Sequence, residues 1–246
     1  MSRRLDAELV ARGLCETRNR AQTLIAEGHV TRNGAVCMKA SQQVADTDTL
    51  RVTEPLPFVG RGGYKLSYAL AEFRIILTGL HCLDIGASTG GFTDCMLQNG
   101  AASVLAVDVG HDQLAAALRN DPRVTAMEGT DLRELPPDSA GLPADFAACD
   151  VSFISLKQII PLLPPLLTAQ GTAVLLVKPQ FEAGRAALNK HGVVRDEKVR
   201  QRVLREIRDC AAQNGLLPEA DCESPVKGGS GNTEYLLFLR KIANNA

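Results

Sequence analysis

The run Leu83-Asp84-Ile85-Gly86-Ala87-Ser88-Thr89-Gly90-Gly91-Phe92 constrains the fold of this chain more than any other stretch. Apolar residues and one acid end a strand, small residues make a loop, and Phe92-Thr93-Asp94-Cys95-Met96-Leu97 reads as a helix. A strand, a glycine turn and a helix N-terminus present backbone N–H groups to a ligand at the carboxyl end of a sheet. Asp84 comes just before the turn, where an acid repels a pyrophosphate and suits a cationic amino group. The spacing G-x-x-x-G-G is not the dinucleotide pattern G-x-G-x-x-G, and no Gly-Lys-Ser/Thr follows as in a P-loop. The loop therefore points to S-adenosylmethionine, with its cationic amino group, ahead of NAD, FAD or a nucleoside triphosphate.

Strands and helices alternate around this loop. The pattern predicts strands at 81–85, 103–108, 124–127, 145–150, 172–177 and 234–239. It predicts helices from Leu66, at 113–120, at 159–167 (kinked or broken by Pro161, Pro164 and Pro165) and at 199–214. Such alternation implies a parallel sheet with helices on both faces. Ligands in such sheets bind at the strands' carboxyl ends, and three ends carry acids. Asp84 lies beside the loop. Asp108, followed by Val109, stands about where a dinucleotide fold keeps its ribose carboxylate. Asp131 follows the third strand and could reach an adenine amino group. The expected fold class is α/β, a class I methyltransferase Rossmann-like sheet, mostly parallel, with a small α+β domain before it. The expected cofactor residues are Asp84, Gly86, Ala87, Ser88, Thr89, Gly90, Gly91, Phe92, Asp108, Val109, Asp131 and Asp150.

The chain has 246 residues and a net charge of −1, so no global basic field marks it for nucleic acid. The distribution says more. Residues 1–40 hold Arg3, Arg4, Arg12, Arg18, Arg20, Arg32 and Lys39 against Asp6, Glu8, Glu16 and Glu27. A basic front end on a neutral protein suits attachment to an anionic polymer or, on charge alone, is simply a solvated helix face. The seven cysteines form no C-x-x-C and the four histidines do not cluster with them, which argues against a metal site or a disulfide framework. That usage fits a reducing cytoplasm. No stretch is apolar over the roughly 20 residues a membrane helix needs, and no secretion signal begins the chain.

Three stretches are expected along the chain: a small domain at 1–53, a linker at 54–60 and a catalytic domain at 61–246. In the first, Leu5, Leu9 and Val10 mark a short helix ended by Gly13, and Thr17 caps a second that Gly28 ends. Asn33-Gly34 closes a hairpin over 30–36, and 44–52 supplies a last strand. Glu54-Pro55-Leu56-Pro57 makes a stiff spacer.

Arg4-Leu5-Asp6, Gly13-Leu14, Thr17-Arg18, Ala21, Ile25, Gly28-His29-Val30 and Asn33-Gly34 together resemble the small RNA-binding domain named after a ribosomal small-subunit protein. That resemblance implies an RNA-facing side made of Arg18, Arg20, Arg32 and Lys39, with Arg3 and Arg4 at its start.

Lys178 ends a fully apolar strand. Removing a lysine from water favours its neutral, basic form, whereas neighbouring carboxylates favour the charged one. Lys178 is thus either a base or an orienting charge. Lys65 precedes the first catalytic-domain helix, Asp150 ends the fourth strand and Glu234 opens the last. This order of lysine, aspartate, lysine and glutamate resembles the tetrad of the FtsJ-like ribose 2′-O-methyltransferases. The segments at 84–95, 150–156, 178–182 and 228–234 are also similar to those of the TlyA group, which joins the small RNA-binding domain to an FtsJ-like enzyme. The resemblance implies 2′-O-methylation of ribosomal RNA, with cytidine as the target, S-adenosylmethionine as the cofactor and ribosomal RNA or ribosomal subunits as the partner. Lys65, Asp150, Lys178 and Glu234 would be its catalytic residues. A monomer is favoured. The alternatives are an RNA-binding assembly protein that keeps an idle donor pocket and, last, the membrane-active haemolysin of the group's older label. The polar segment 182–197, with His191 and Arg195, either closes over RNA or is an ordinary surface loop. With aromatic residues at 4% and no tryptophan, recognition should rest on phosphate contacts, RNA shape and a flipped nucleotide rather than a broad stacking platform.

Overall fold

Asn33 and Gly34 take φ values of 51° and 84°, the pair of left-handed conformations a two-residue hairpin turn requires, and so close the first hairpin of the chain. The structure is a computed structural model that describes every residue except 1, 27, 54–56, 137, 229 and 243–246. Three residues of the expected linker, 54–56, therefore lie outside the described residues. The chain divides into two units, residues 1–60 and 61–246.

The first unit runs β1 (Ser2–Arg4), α1 (Leu5–Ala11), α2 (Arg18–Ala26), β2 (Val30–Arg32), β3 (Ala35–Val36), β4 (Gln43–Ala45) and β5 (Leu50–Val52). Leu5, Leu9, Ala21, Leu24, Ile25, Val30, Val44 and Leu50 form its core. The single strand expected over 44–52 is two strands in two sheets: β4 pairs with β1, and β5 pairs with β2. Asp48 separates them. Its carboxylate accepts the Ala45 amide and the Asn33 side chain, both at 2.8 Å, which holds a turn against the hairpin.

The second unit runs α3 (Gly62–Glu72), β6 (His81–Ile85), α4 (Gly91–Gln98), β7 (Ser103–Asp108), α5 (Ala116–Arg119), β8 (Val124–Glu128), β9 (Ala144–Cys149), α6 (Leu156–Ile159), α7 (Leu163–Leu166), β10 (Leu167–Val177), α8 (Pro179–Glu182), α9 (Glu197–Gln213), β11 (Leu216–Glu223) and β12 (Tyr235–Lys241). Its strands form one sheet in the order β11-β12-β10-β9-β6-β7-β8. The five strands from β10 to β8 are parallel, β12 runs against them, and the edge strand β11, antiparallel to β12, runs with the five again. From β6 the chain moves outward to β7 and β8, then crosses back to β9 on the other side. The carboxyl ends at β6 are the switch point where such sheets bind ligands.

Three differences from the sequence reading have local causes. The helix expected at 113–120 spans only Ala116–Arg119, because Glu128 takes the amides of Gln113 and Leu114. The prolines split 159–167 into short helical turns, and β10 begins at Leu167. The edge strand β11 was not expected. Only alternate residues of it touch the core, and its register slips between Pro218 and Ala220.

Candidate active site

The loop after β6 is built on glycine. Gly86 has φ 82°, and a Cβ there would lie 2.8 Å from the Asp150 carbonyl oxygen, so only glycine lets this turn rest on the end of β9. Asp108, at the end of β7, accepts the amides of Ser88 at 2.8 Å and Gly110 at 2.7 Å, which joins two loops. Val109, next to it, is 68% exposed, an apolar surface at a strand end. Asp131 is committed to Arg133: it accepts that residue's amide and Nε at 2.9 Å and Nη2 at 2.5 Å. These bonds hold its carboxyl down at about 2.

Asp84 sits deeper than the sequence suggested. It has no exposed surface, and its partners across β7 and β9 are Ala106 and Ala148. Its Oδ2 accepts the Thr93 amide at 2.8 Å and hydroxyl at 2.6 Å, at the start of α4. Its Oδ1 is buried without a hydrogen-bond partner. Burial pushes the carboxyl up to about 7, against the lowering effect of the two Thr93 bonds. Asp84 thus lies beneath the loop, with one carboxylate oxygen left over.

The four candidate catalytic residues meet at neighbouring strand ends. Val177 of β10 lies opposite Tyr235 of β12, which sets Lys178 beside Glu234. Lys65, on α3, donates to Glu234 Oε2 at 2.7 Å, and both side chains are almost wholly buried. Lys178 Nζ lies 2.5 Å from Asp150 Oδ1 and donates to Ser152 Oγ at 2.8 Å. Gln180, two residues after Lys178, supports the first pair by donating to Glu234 Oε1 at 3.2 Å. Behind them Glu182 accepts the Ser155 hydroxyl at 2.6 Å and the Leu156 amide at 2.8 Å. The segment after Asp150 is thereby tied to the segment after Lys178.

Sequence reasoning passed over Ser152, Gln180 and Thr93 as individual residues, though all lie inside the motifs it singled out. It also passed over Phe153. This residue has φ 64°, is 92% exposed, and its ring lies 5.1 Å from that of Phe181. The Phe181 ring in turn lies 5.9 Å from Lys178 Nζ. A bulky residue held at positive φ and turned outward, against the ring that flanks Lys178, is a costly arrangement that marks functional sites. Its signal was composition-blind: a phenylalanine among apolar neighbours reads as core.

The segment after α8 is a pinned surface loop, not a free flap. Asn189 Oδ1 accepts the amides of His191 and Val193 at 2.8 and 3.0 Å. The buried Asn232 accepts the Val194 amide and donates to the Gly192 carbonyl, both at 3.0 Å. His191 and Arg195 are exposed upon it.

In the first unit, most of the expected RNA-facing cations already have acidic partners. Asp6, fully buried, accepts Arg4 at 2.9 and 3.0 Å, Arg18 at 3.1 Å and Gln22 at 2.8 Å. Arg3 pairs with Glu8 at 3.5 Å and Arg32 with Asp48 at 2.8 Å. Arg20 donates to the Phe58 carbonyl at 3.4 Å, and Lys39 is exposed and has no ion pair among the described residues. The heads of Arg4 and Arg18 still keep about half their surface, at 44% and 56%.

The residues around the loop fit a cationic amino-acid nucleoside. The buried Asp84 Oδ1 lacks a partner, carboxylates end β6 and β7, and Val109 offers an apolar face. Among the described residues, no group of three or more His, Cys, Asp or Glu side chains could hold a metal, and no helix is long and apolar enough to cross a membrane.

Residues 58–241 match the FtsJ-like methyltransferase family and residues 3–50 the S4 domain. The chain is 47% identical over 239 residues to a candidate rRNA methyltransferase, YqxC, of Bacillus subtilis, covering 96% of this chain and 85% of that protein. It is 43% identical over 245 residues to the 16S/23S rRNA (cytidine-2′-O)-methyltransferase TlyA of Mycobacterium tuberculosis, covering 99% and 91%. Among solved structures, a candidate hemolysin from Streptococcus thermophilus superposes with a TM-score of 0.78 at 42% identity, covering 98% of this chain and 89% of that one.

Proposed function

This chain belongs to the FtsJ-like methyltransferase family and carries an S4 domain, and from that premise we propose that it methylates the ribose 2′-oxygen of a cytidine in ribosomal RNA. The observation that carries the reading is the meeting of two lysine–carboxylate pairs at adjacent strand ends beside the glycine loop. The rRNA-methylating relatives support the substrate class.

The cofactor is S-adenosylmethionine, which supplies an electrophilic methyl group when bound. Residues 86–92 would hold its amino-acid end, Asp108 and Val109 its nucleoside. Asp131 would serve the adenine only by sharing itself with Arg133. Lys178 carries the proton step. Its ammonium is spent on Asp150 and Ser152, so it accepts the 2′-hydroxyl proton as it passes one of its own to Asp150. The carboxylate is the final proton sink, so the pair goes from neutral overall to one positive charge, matching the charge lost when the methyl group leaves its sulfonium. The Lys65–Glu234 pair, steadied by Gln180, orients the hydroxyl and offsets its developing charge. Phe153 gives the target base a face to stack on once it leaves its helix.

The S4 domain brings the enzyme to RNA through Arg20 and Lys39 and through the exposed heads of Arg3, Arg4, Arg18 and Arg32. The described cysteines are free thiols, which accords with work in the reducing cytoplasm. The chain would act there as a monomer. Methyl transfer to purified ribosomal subunits tests the reading. Lys178→Ala should cut transfer by at least about a hundredfold while the cofactor still binds. Transfer unchanged in a folded Lys178→Ala protein would remove the assigned role.

A further inference from the structure

Among the described residues of the second unit, Asp84 is the one wholly buried acid that the chemistry above leaves unused, and its surroundings are unusual. Its in-register neighbours, Ala106 and Ala148, offer no polar group. One carboxylate oxygen is held by Thr93; the other is buried with no partner. No cation among the described residues pairs with it.

Resting on the reading of the loop as an S-adenosylmethionine site, we propose that Asp84 loses a proton when the sulfonium donor binds and regains it with the neutral thioether product, so that the site prefers donor to product by charge. The groups facing Asp84 leave it without a counter-ion. Asp108 from β7 and Asp150 from β9 both act against its ionisation, as does its burial, which is the largest influence. From its own strand Cys82, from α4 Cys95 and from β9 Cys149 are thiols that burial keeps neutral, each pushed up to about 12. Asp94 of α4 adds a further negative charge nearby, acting on the adjoining Cys95. Only Thr93 favours the carboxylate, by two hydrogen bonds. The result is a carboxyl held at about 7, poised to respond to any positive charge placed on the loop above it. A ligand cation acts across this dry interior without touching Asp84, because low dielectric carries its field. The donor has one more positive charge than the product. It therefore draws off more of the proton.

Calorimetric titration of the full chain at pH 7, in buffers of differing ionisation heat, reads the proton directly. S-adenosylmethionine should release roughly half a proton per molecule bound, since a group with its pKa near the working pH starts about half protonated. S-adenosylhomocysteine should release distinctly less. Asp84→Asn should bind with heat that no longer depends on the buffer. Thr93→Val, which removes one of the two bonds favouring the carboxylate, should keep the release but move its maximum to higher pH. Equal release by both ligands, release retained in Asp84→Asn, or binding heat identical in every buffer would each overturn the proposal and leave the cofactor reading standing. No binding of either ligand would overturn the cofactor reading, and this proposal with it.

Discussion

Lys178 meets three groups at once: a carboxylate at 2.5 Å, a hydroxyl at 2.8 Å and the face of Phe181 at 5.9 Å. Only the carboxylate can hold a proton for it. Asp150→Asn should therefore cost nearly as much activity as Lys178→Ala, about a hundredfold or more, and single-turnover kinetics on methylation checks it. Ser152→Ala should cost far less, roughly tenfold at most, since it removes one neutral hydrogen bond of about 1 kcal/mol. Asp6 carries a pH dependence. Its bond to Arg4 above all, then those to Gln22 and Arg18, hold its carboxyl well below the usual range. A lowered native value adds stability above the unfolded pKa of about 4, and that stability is lost as pH falls toward the native value. Urea unfolding should thus show Asp6→Asn weaker than the parent by an amount that is constant near neutral pH and shrinks below about pH 4. At this scale the sequence was informative about residue types at strand ends, which is why the tetrad and the glycine loop were legible. It was silent on depth. Asp84 and Asp108 lie near the ends of neighbouring strands, two positions apart in register, one wholly buried and one not, and nothing in their spelling separates them.

Asn232 holds a whole element in place. Both atoms of its buried amide are used on residues 192 and 194, and Glu234 follows two positions on. The loop that carries His191 and Arg195 is thereby fixed to the strand that carries an acid of the site. Asn232→Ala should destabilise by about 1–3 kcal/mol, the cost of buried polar groups left unpaired, with faster amide exchange at Val194. Strands buried on both faces were legible as apolar runs, and β10, with Ala173 to Val177 all buried, is the plainest case. The edge strand β11 was not, because an edge needs only half its residues in the core and tolerates Pro218. The split of 44–52 into two strands was hidden for another reason. It depends on Asp48 reaching Asn33, a contact between residues distant in sequence.

At the scale of the molecule, a net charge of −1 means that RNA attraction has to come from local cations. In the first unit most of these are already balanced by Asp6, Glu8 and Asp48, which leaves Lys39 the plainest unpaired charge. Lys39→Ala should weaken binding to ribosomal RNA uniformly across sequences and lower the slope of log affinity against log salt by about 1. Filter binding across a salt series measures both. The central claim is that the paired lysines and carboxylates direct a methyl group to a ribose oxygen. Labelled methyl groups from S-adenosylmethionine, transferred to ribosomal subunits and followed by alkaline hydrolysis of the RNA, test it most directly, because a 2′-O-methyl group blocks cleavage at its own phosphodiester. The label should appear in alkali-stable dinucleotides with cytidine on the 5′ side, and should vanish with Lys178→Ala. Label in free mononucleotides would place the methyl group on a base and contradict the account.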